Sequence, residues 1–311
     1  MNPMILQLDD MRIFGIAACV PANALANSER LAQSTGIVTR RLVAHGESVV
    51  DLCVNAAKRV IADTKVAPTD FSAVVFVSFT NLDRMPCAAA VVQSKLGLPR
   101  DIVAFDVSLA CSGWSYGLYL AGNLARVTGG KVLLLDGDVQ SRFVNTDDVN
   151  TASLLADGGT ATIVGAGDDH WNFKFAVDGN KREVLELAEG GKIKMNGMEV
   201  FKFVATDVVA DIRDFLSATN RSVADFDAFV PHQPNAYMVR QLARELEFAA
   251  EKAVISCDRF GNLSSASIPV SIAAKGSRGK LLIAGFGGGL STAVCSVVID
   301  DDCSLSLMEI K

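Results

Sequence analysis

Polar and apolar positions follow two rhythms along this chain. In residues 47–65, ESVVDLCVNAAKRVIADTK, the apolar positions Val49, Leu52, Cys53, Ala56 and Val60 recur at three- and four-residue intervals, which predicts a helix. Elsewhere the apolar runs are short and continuous, as in AVVFVSF (73–79) and GGKVLLLDGD (129–138). With few alternating polar positions, such runs predict strands buried on both faces. The stretch FDVSLACSGWSYGLYLAG (105–122) is apolar, stops at Ala110-Cys111-Ser112-Gly113, and is apolar again. It predicts a strand that turns into a helix at Cys111.

The pattern repeats. PTDFSAVVFVSFTN (68–81) and SVADFDAFVPHQPNA (222–236) align Asp70-Phe71 with Asp225-Phe226 and Ala73 with Ala228, an offset of 155. A helical stretch precedes each (47–65 and 199–219), and another follows each (CAAAVVQSKLG and AYMVRQLARELE). Next come a short strand and a Ser/Gly-rich turn (IVAFDVSLACSGW and AVISCDRFGNLSSAS), then a second strand (129–138 and 278–289). Strand, helix, strand, helix, strand, twice over, predicts an α/β fold of mostly parallel sheets covered by helices. A repeat this long predicts two similar halves about a pseudo-twofold axis. The changeover is expected in the Gly- and Asp-rich GAGDDHWN (165–172), giving residues 1–168 and 169–311.

Composition narrows the function. The 311 residues are 50% hydrophobic, with mean hydropathy +0.30, enough for a large core. A net charge of −6, a pI near 5.2 and the lack of a basic cluster with interleaved aromatics argue against a nucleic-acid partner. The apolar runs fall short of the roughly 20 residues of a membrane span. No basic leader opens the sequence, and seven scattered cysteines form no CxxC pair. A cytoplasmic enzyme with reduced thiols is expected.

In the predicted topology, corresponding strand ends converge. Cys111, PHQPN (231–235) and RFGNLSSAS (259–267) then become neighbours. A cysteine at a helix start gains from the exposed N–H groups and the helix dipole, so a lowered thiol pKa and a nucleophilic role are expected of Cys111. His232 follows an apolar strand between two prolines, whereas His45 and His170 lie in polar surroundings and are assigned to the surface. Asn262, by itself a common turn residue, becomes a neutral hydrogen-bond donor beside Cys and His. In GFGGGLS (285–291) the glycines let backbone N–H groups approach a substrate oxygen. The run matches no nucleotide-phosphate motif.

Together, DVSLACSG, VPHQPN, RFGNLSSASIP and GFGGG resemble the thiolase superfamily, and within it β-ketoacyl-acyl-carrier-protein synthase III, over nearly the whole chain including MNGMEVFKFVATDV (195–208). The resemblance implies a five-layer αβαβα fold, usually a homodimer, and catalysis by Cys111, His232 and Asn262. It implies an oxyanion hole from the backbone N–H groups of Cys111 and Gly288, and no metal or cofactor beyond the acyl-CoA or acyl-carrier-protein substrates. The implied reaction loads an acyl primer on Cys111 and condenses it with a decarboxylating malonyl thioester. Cys295 sits in an apolar run, so it is not read as the second, basic cysteine of a thiolase. Lys202, Arg240 and Arg244 occupy regions where relatives dock the carrier protein, although Tyr237 replaces an expected Arg. Met85 resembles a gate over the acyl pocket, often supplied by the partner subunit, and Trp114, one turn past Cys111, is expected to pack the helix, with narrowing of the acyl pocket as its alternative role. The Trp and Arg that clamp adenine in CoA-using relatives are missing: none precedes Thr35-Gly36-Ile37, and Val149 takes the place of the Arg. The primer is therefore expected on a carrier protein or held differently. Transfer of the acyl group to a hydroxyl or amine, and a non-catalytic partner subunit, are the competing readings.

Overall fold

The structure is a computed structural model that describes residues 3–83 and 85–310. Ten strands form one continuous mixed sheet. They are β1 (Leu6–Pro21), β2 (Phe71–Val77), β3 (Val103–Val107), β4 (Lys131–Val139), β5 (Asp157–Ala166), β6 (Asp169–Val177), β7 (Ala228–Pro231), β8 (Gly279–Gly287), β9 (Ser291–Ile299) and β10 (Ser304–Ile310). The principal helices are α1 (Val49–Thr64), α2 (Ala88–Leu96), α3 (Gly113–Thr128), α4 (Gly197–Phe203), α5 (Val209–Ala218), α6 (Ala236–Glu245) and α7 (Ser267–Lys275).

The strand order β3-β2-β4-β5-β1 is followed, across a β1–β6 contact, by its counterpart β6-β9-β8-β7. The counterpart of β3 is reduced to one bridge between Phe229 and Ala253, so the strand predicted near AVISC does not form. The expectation of mostly parallel sheets also needs correction. β2 pairs in parallel with β3 and β4, and β7 with β8, but β5 and β9 run antiparallel to both of their neighbours. β5 and β9 each return beside the strand before them without a covering crossover helix, which reverses their direction. β10 pairs in parallel with β1, tying the end of the chain to the first half.

Strand alternation sorts the side chains into five layers. Leu133 and Leu135 of β4 face outward to Leu52, Cys53 and Ala56 of α1. Val132 and Leu134 face inward to Trp114, Leu118 and Ala121 of α3. The second half mirrors this: Ile283 joins Ile268 and Ile272 of α7 in the middle layer, while Leu282 and Ala284 meet Ile212, Phe215 and Leu242 of α5 and α6 outside. The order is thus α1/α2, sheet, α3/α7, sheet, α5/α6. α1 starts where Ser48 and Asp51 form a reciprocal capping box. Among the described residues, no helix is long and apolar enough to cross a membrane.

Candidate active site

The site lies where both halves meet at the start of α3. Cys111 sits in the turn before that helix and is 7% exposed. The glycine run of β8 closes on it: a Cβ on Gly287 would lie 2.7 Å from Cys111 Cβ and 2.9 Å from its Sγ, and one on Gly285 would lie 2.9 Å from Ser112 Cα. Only a missing side chain lets the two halves approach this closely. Ser112 Oγ meets Ser291 Oγ at 2.8 Å, and Ser291 Oγ donates to the Gly288 carbonyl at 3.1 Å, which fixes the glycine turn.

The thiol differs electrostatically from its sequence-based expectation. Burial pushes Cys111 up from 9.0 to about 12, and the Asp138 charge adds to the rise. Ser264 Oγ, 3.9 Å from Sγ, and the backbone N–H groups of Cys111 and Gly288 pull the other way without prevailing. The helix start is present, but desolvation outweighs it.

His232 leaves β7 with its N–H donating to the Ala284 carbonyl at 2.8 Å. The ring is 2% exposed, and burial lowers its pKa from 6.5 to about 3, so the imidazole is neutral. Ser267 Oγ lies 2.8 Å from His232 Nδ1 and accepts the Gln233 N–H at 3.3 Å. When the hydroxyl donates its proton to Nδ1, the ring proton sits on Nε2, the tautomer that donates into the cavity.

Asn262 is held by its backbone: its N–H donates to the Leu154 carbonyl at 2.8 Å, and its carbonyl accepts from Ala156 N–H at 2.9 Å and from Gln140 Nε2 at 2.7 Å. Its Oδ1 accepts the Ser264 N–H at 2.9 Å, the self-stabilising turn bond expected of an Asn in such a loop. Among the described residues Nδ2 has no acceptor, which leaves its hydrogens for the cavity that Asn262 lines.

Cys111, His232, Asn262 and Gly288 line one cavity of about 380 Å³. The rest of its wall is largely apolar, including Phe79, Leu155, Leu187, Ile193, Phe203 and Phe286. Neither Trp114 nor Met85 lines this chain's own cavity. Trp114 is fully buried in the middle layer, where Nε1 donates to Thr162 Oγ1 at 3.1 Å: its helical phase turns it toward the sheet. Met85 is 89% exposed and lies outside this chain's own cavity. Lys202 on α4 and Arg240 and Arg244 on α6 are exposed. The same two helices supply Gly197 and Met238 to the cavity wall, and Phe201 and Tyr237 pair across them with ring centroids 6.1 Å apart. His45 and His170 are exposed, and Cys295 is fully buried in β9. Sequence reasoning missed Ser264, Ser267, Gln140 and Asp138. Three of them sit in or beside quoted motifs, but their partners lie far away in the chain. Among the described residues, no group of metal-ligating side chains converges.

Family models support this picture over both halves. The model of 3-oxoacyl-[acyl-carrier-protein] synthase III matches residues 105–179, and that of its C-terminal part matches residues 216–299. β-Ketoacyl-[acyl-carrier-protein] synthase III of Brucella suis is 31% identical over 313 residues, covering 89% of this chain and 95% of that protein. The chain belongs to the β-ketoacyl-[acyl-carrier-protein] synthase III family. Another synthase III, from Syntrophomonas wolfei, is 31% identical over 90% of this chain and 95% of its own length. The crystal structure of 3-oxoacyl-(acyl-carrier protein) synthase from Burkholderia xenovorans superposes with a TM-score of 0.93 at 28% identity, covering 99% of each chain. The priming β-ketosynthase of the R1128 polyketide pathway gives 0.87 at 26% identity, covering 95% of this chain and 98% of that one. The five-layer thiolase-type architecture is shared with these synthase III structures.

Proposed function

We propose that this synthase III family member condenses an acyl primer, carried on Cys111, with a malonyl thioester to give a 3-ketoacyl thioester. The observation that carries the reading is the shared cavity: a nucleophile, a neutral imidazole and a free amide face one apolar space. Cys111 Sγ attacks the primer carbonyl, and the carrier thiol leaves with the proton that Cys111 gives up. The N–H groups of Cys111 and Gly288, already directed at Sγ, hold the oxyanion. The malonyl C–C bond then breaks, CO2 departs, and the electron pair forms an enolate. His232 Nε2–H and Asn262 Nδ2 donate to the enolate oxygen. Its carbon attacks the acyl carbonyl, the C–S bond breaks, and the thiolate is regenerated and reprotonated. Decarboxylation supplies the carbanion, so a histidine that stays neutral down to about pH 3 suits a donor and not a base.

The carrier of the malonyl group, and of the primer, is read as an acyl carrier protein. Support comes from Lys202, Arg240 and Arg244, exposed on the helices that border the cavity, where a phosphopantetheine arm would enter. A homodimer is part of this reading. β3 is an edge strand with Val103 40% exposed, and pairing of that edge with a second copy would cover it and bring in the exposed Met85. The test is intact-protein mass after incubation with acyl-CoA and acyl-carrier-protein donors. A mass gain that vanishes in Cys111→Ala is expected. No gain from any donor would overturn the reading.

A further inference from the structure

Gln140 is the buried polar side chain of the cavity that the chemistry above leaves unused. It follows β4, is 3% exposed, and lines the same space as Cys111 and Asn262. Its Nε2 donates to the Ala156 carbonyl at 2.8 Å and to the Asn262 carbonyl at 2.7 Å. Both partners are acceptors, so the amide orientation is fixed by the network, and both amide hydrogens are used. The carbonyl Oε1 therefore points elsewhere. Among the described residues it accepts no hydrogen bond, and it is not sealed from the cavity as the buried unpartnered atoms of the chain are. The other polar wall residues outside the chemistry above differ: Asn150 is exposed, Asn235 Oδ1 accepts the Met238 N–H at 2.8 Å, and Glu186 pairs with Lys194 at 3.6 Å. Leu155 and Phe79 line the same cavity.

We infer that Gln140 makes this cavity selective for acyl primers that carry a hydrogen-bond donor, such as a hydroxyl, on the acyl chain. A buried carbonyl oxygen with no partner disfavours a purely aliphatic occupant, which strips water from it and gives nothing back. A hydroxyl placed against Oε1 restores the bond. Sites built this way reject the analogue lacking the donor far more strongly than a hydrophobic pocket rejects one methylene. The inference rests on the reading that the cavity holds the primer chain.

The experiment compares loading rates of Cys111 by intact mass. The probes are butyryl, 3-hydroxybutyryl and 4-hydroxybutyryl groups, each on an acyl carrier protein. The wild-type chain is expected to load at least one hydroxylated primer about tenfold or more faster than the plain one. Gln140→Met, similar in volume but without the carbonyl, is expected to lose or invert that preference. The preference is a ratio within one preparation, so partial misfolding cancels. Gln140 also anchors the Asn262 backbone, and a purely positioning role would slow all three primers together and leave the ratio unchanged. Equal rates for all probes in the wild type, or a ratio that survives Gln140→Met, would overturn the inference while leaving the condensing reading intact. Failure of every probe to load Cys111 would contradict both.

Discussion

Replacing Asp138 by Asn tests the electrostatics behind the nucleophile. The carboxyl is fully buried on the inward face of β4. Its Oδ1 accepts from Ser78 Oγ at 2.9 Å, Phe79 N–H at 3.0 Å and Thr80 Oγ1 at 3.0 Å, and its Oδ2 lies 3.5 Å from Ser265 Oγ. Burial exceeds these bonds and raises the pKa from 3.8 to about 7. Below about pH 4 the group is neutral in both the folded and the unfolded chain, and it makes no pH-dependent difference there. As pH rises from there to about 7, the unfolded chain gives up a proton that the folded chain keeps. Stability therefore falls with rising pH and levels off above pH 7. At 1.36 kcal/mol per unit, the two units between pH 5 and about 7 amount to roughly 3 kcal/mol. Asn keeps an acceptor for the three donors, its NH2 faces Ser265, and it cannot titrate. Urea unfolding at pH 5 and pH 8 is the assay: the wild type should lose roughly 3 kcal/mol more than Asp138→Asn over that interval. His232, which costs stability toward acid because its folded pKa is lowered, is common to both proteins and cancels. Equal pH slopes would refute the reasoning. A second readout is local: the Asp138 charge raises the Cys111 thiol, so Cys111 should be alkylated faster in the variant at pH 8.

Three further outcomes follow from the geometry. Gly287→Ala places a methyl 2.9 Å from Cys111 Sγ; it should cost about 1–3 kcal/mol in urea unfolding and slow acylation about tenfold or more, and normal acylation would contradict the packing. Trp114→Phe removes the bond to Thr162 and some core volume, at about 2 kcal/mol, but should leave the order of primer preference unchanged; a changed order would return Trp114 to the pocket. With its thiol raised to about 12, Cys111 should react with iodoacetamide at a rate that climbs about tenfold per pH unit between pH 7 and 10, and a plateau below pH 9 would mean that the helix start governs the thiol.

The convergence of Cys111, His232 and Asn262 was legible because strand ends are marked in the sequence by abrupt changes from apolar to Pro-, Gly- or Ser-rich composition. The matched Asp70-Phe71 and Asp225-Phe226 pairs were legible for a local reason: each ends a short 3-10 turn that feeds a strand. What tertiary packing decides was not legible. Trp114 and Cys111 are close in sequence, yet the helical phase sends the indole into the middle layer. Asp136 and Asp138 sit in an apparently apolar strand, and strand alternation turns both inward. The thiol of Cys111 is set by how completely the second half covers it, which no local motif records. The orientation of Gln140 depends on two carbonyls, 16 and 122 positions further along the chain.

The central claim is carbon–carbon bond formation on an acyl group held by Cys111. Cys111 is first loaded with an isotopically labelled primer and the excess is removed. Malonyl-carrier protein is then added, and the mass of the carrier-bound product is read. The account predicts loss of the label from Cys111 and its appearance in a 3-ketoacyl thioester, with one CO2 released per label transferred. It also predicts that His232→Ala and Asn262→Ala still load but do not transfer. A label that stays on Cys111, or leaves without CO2 for a hydroxyl or amine acceptor, would contradict it.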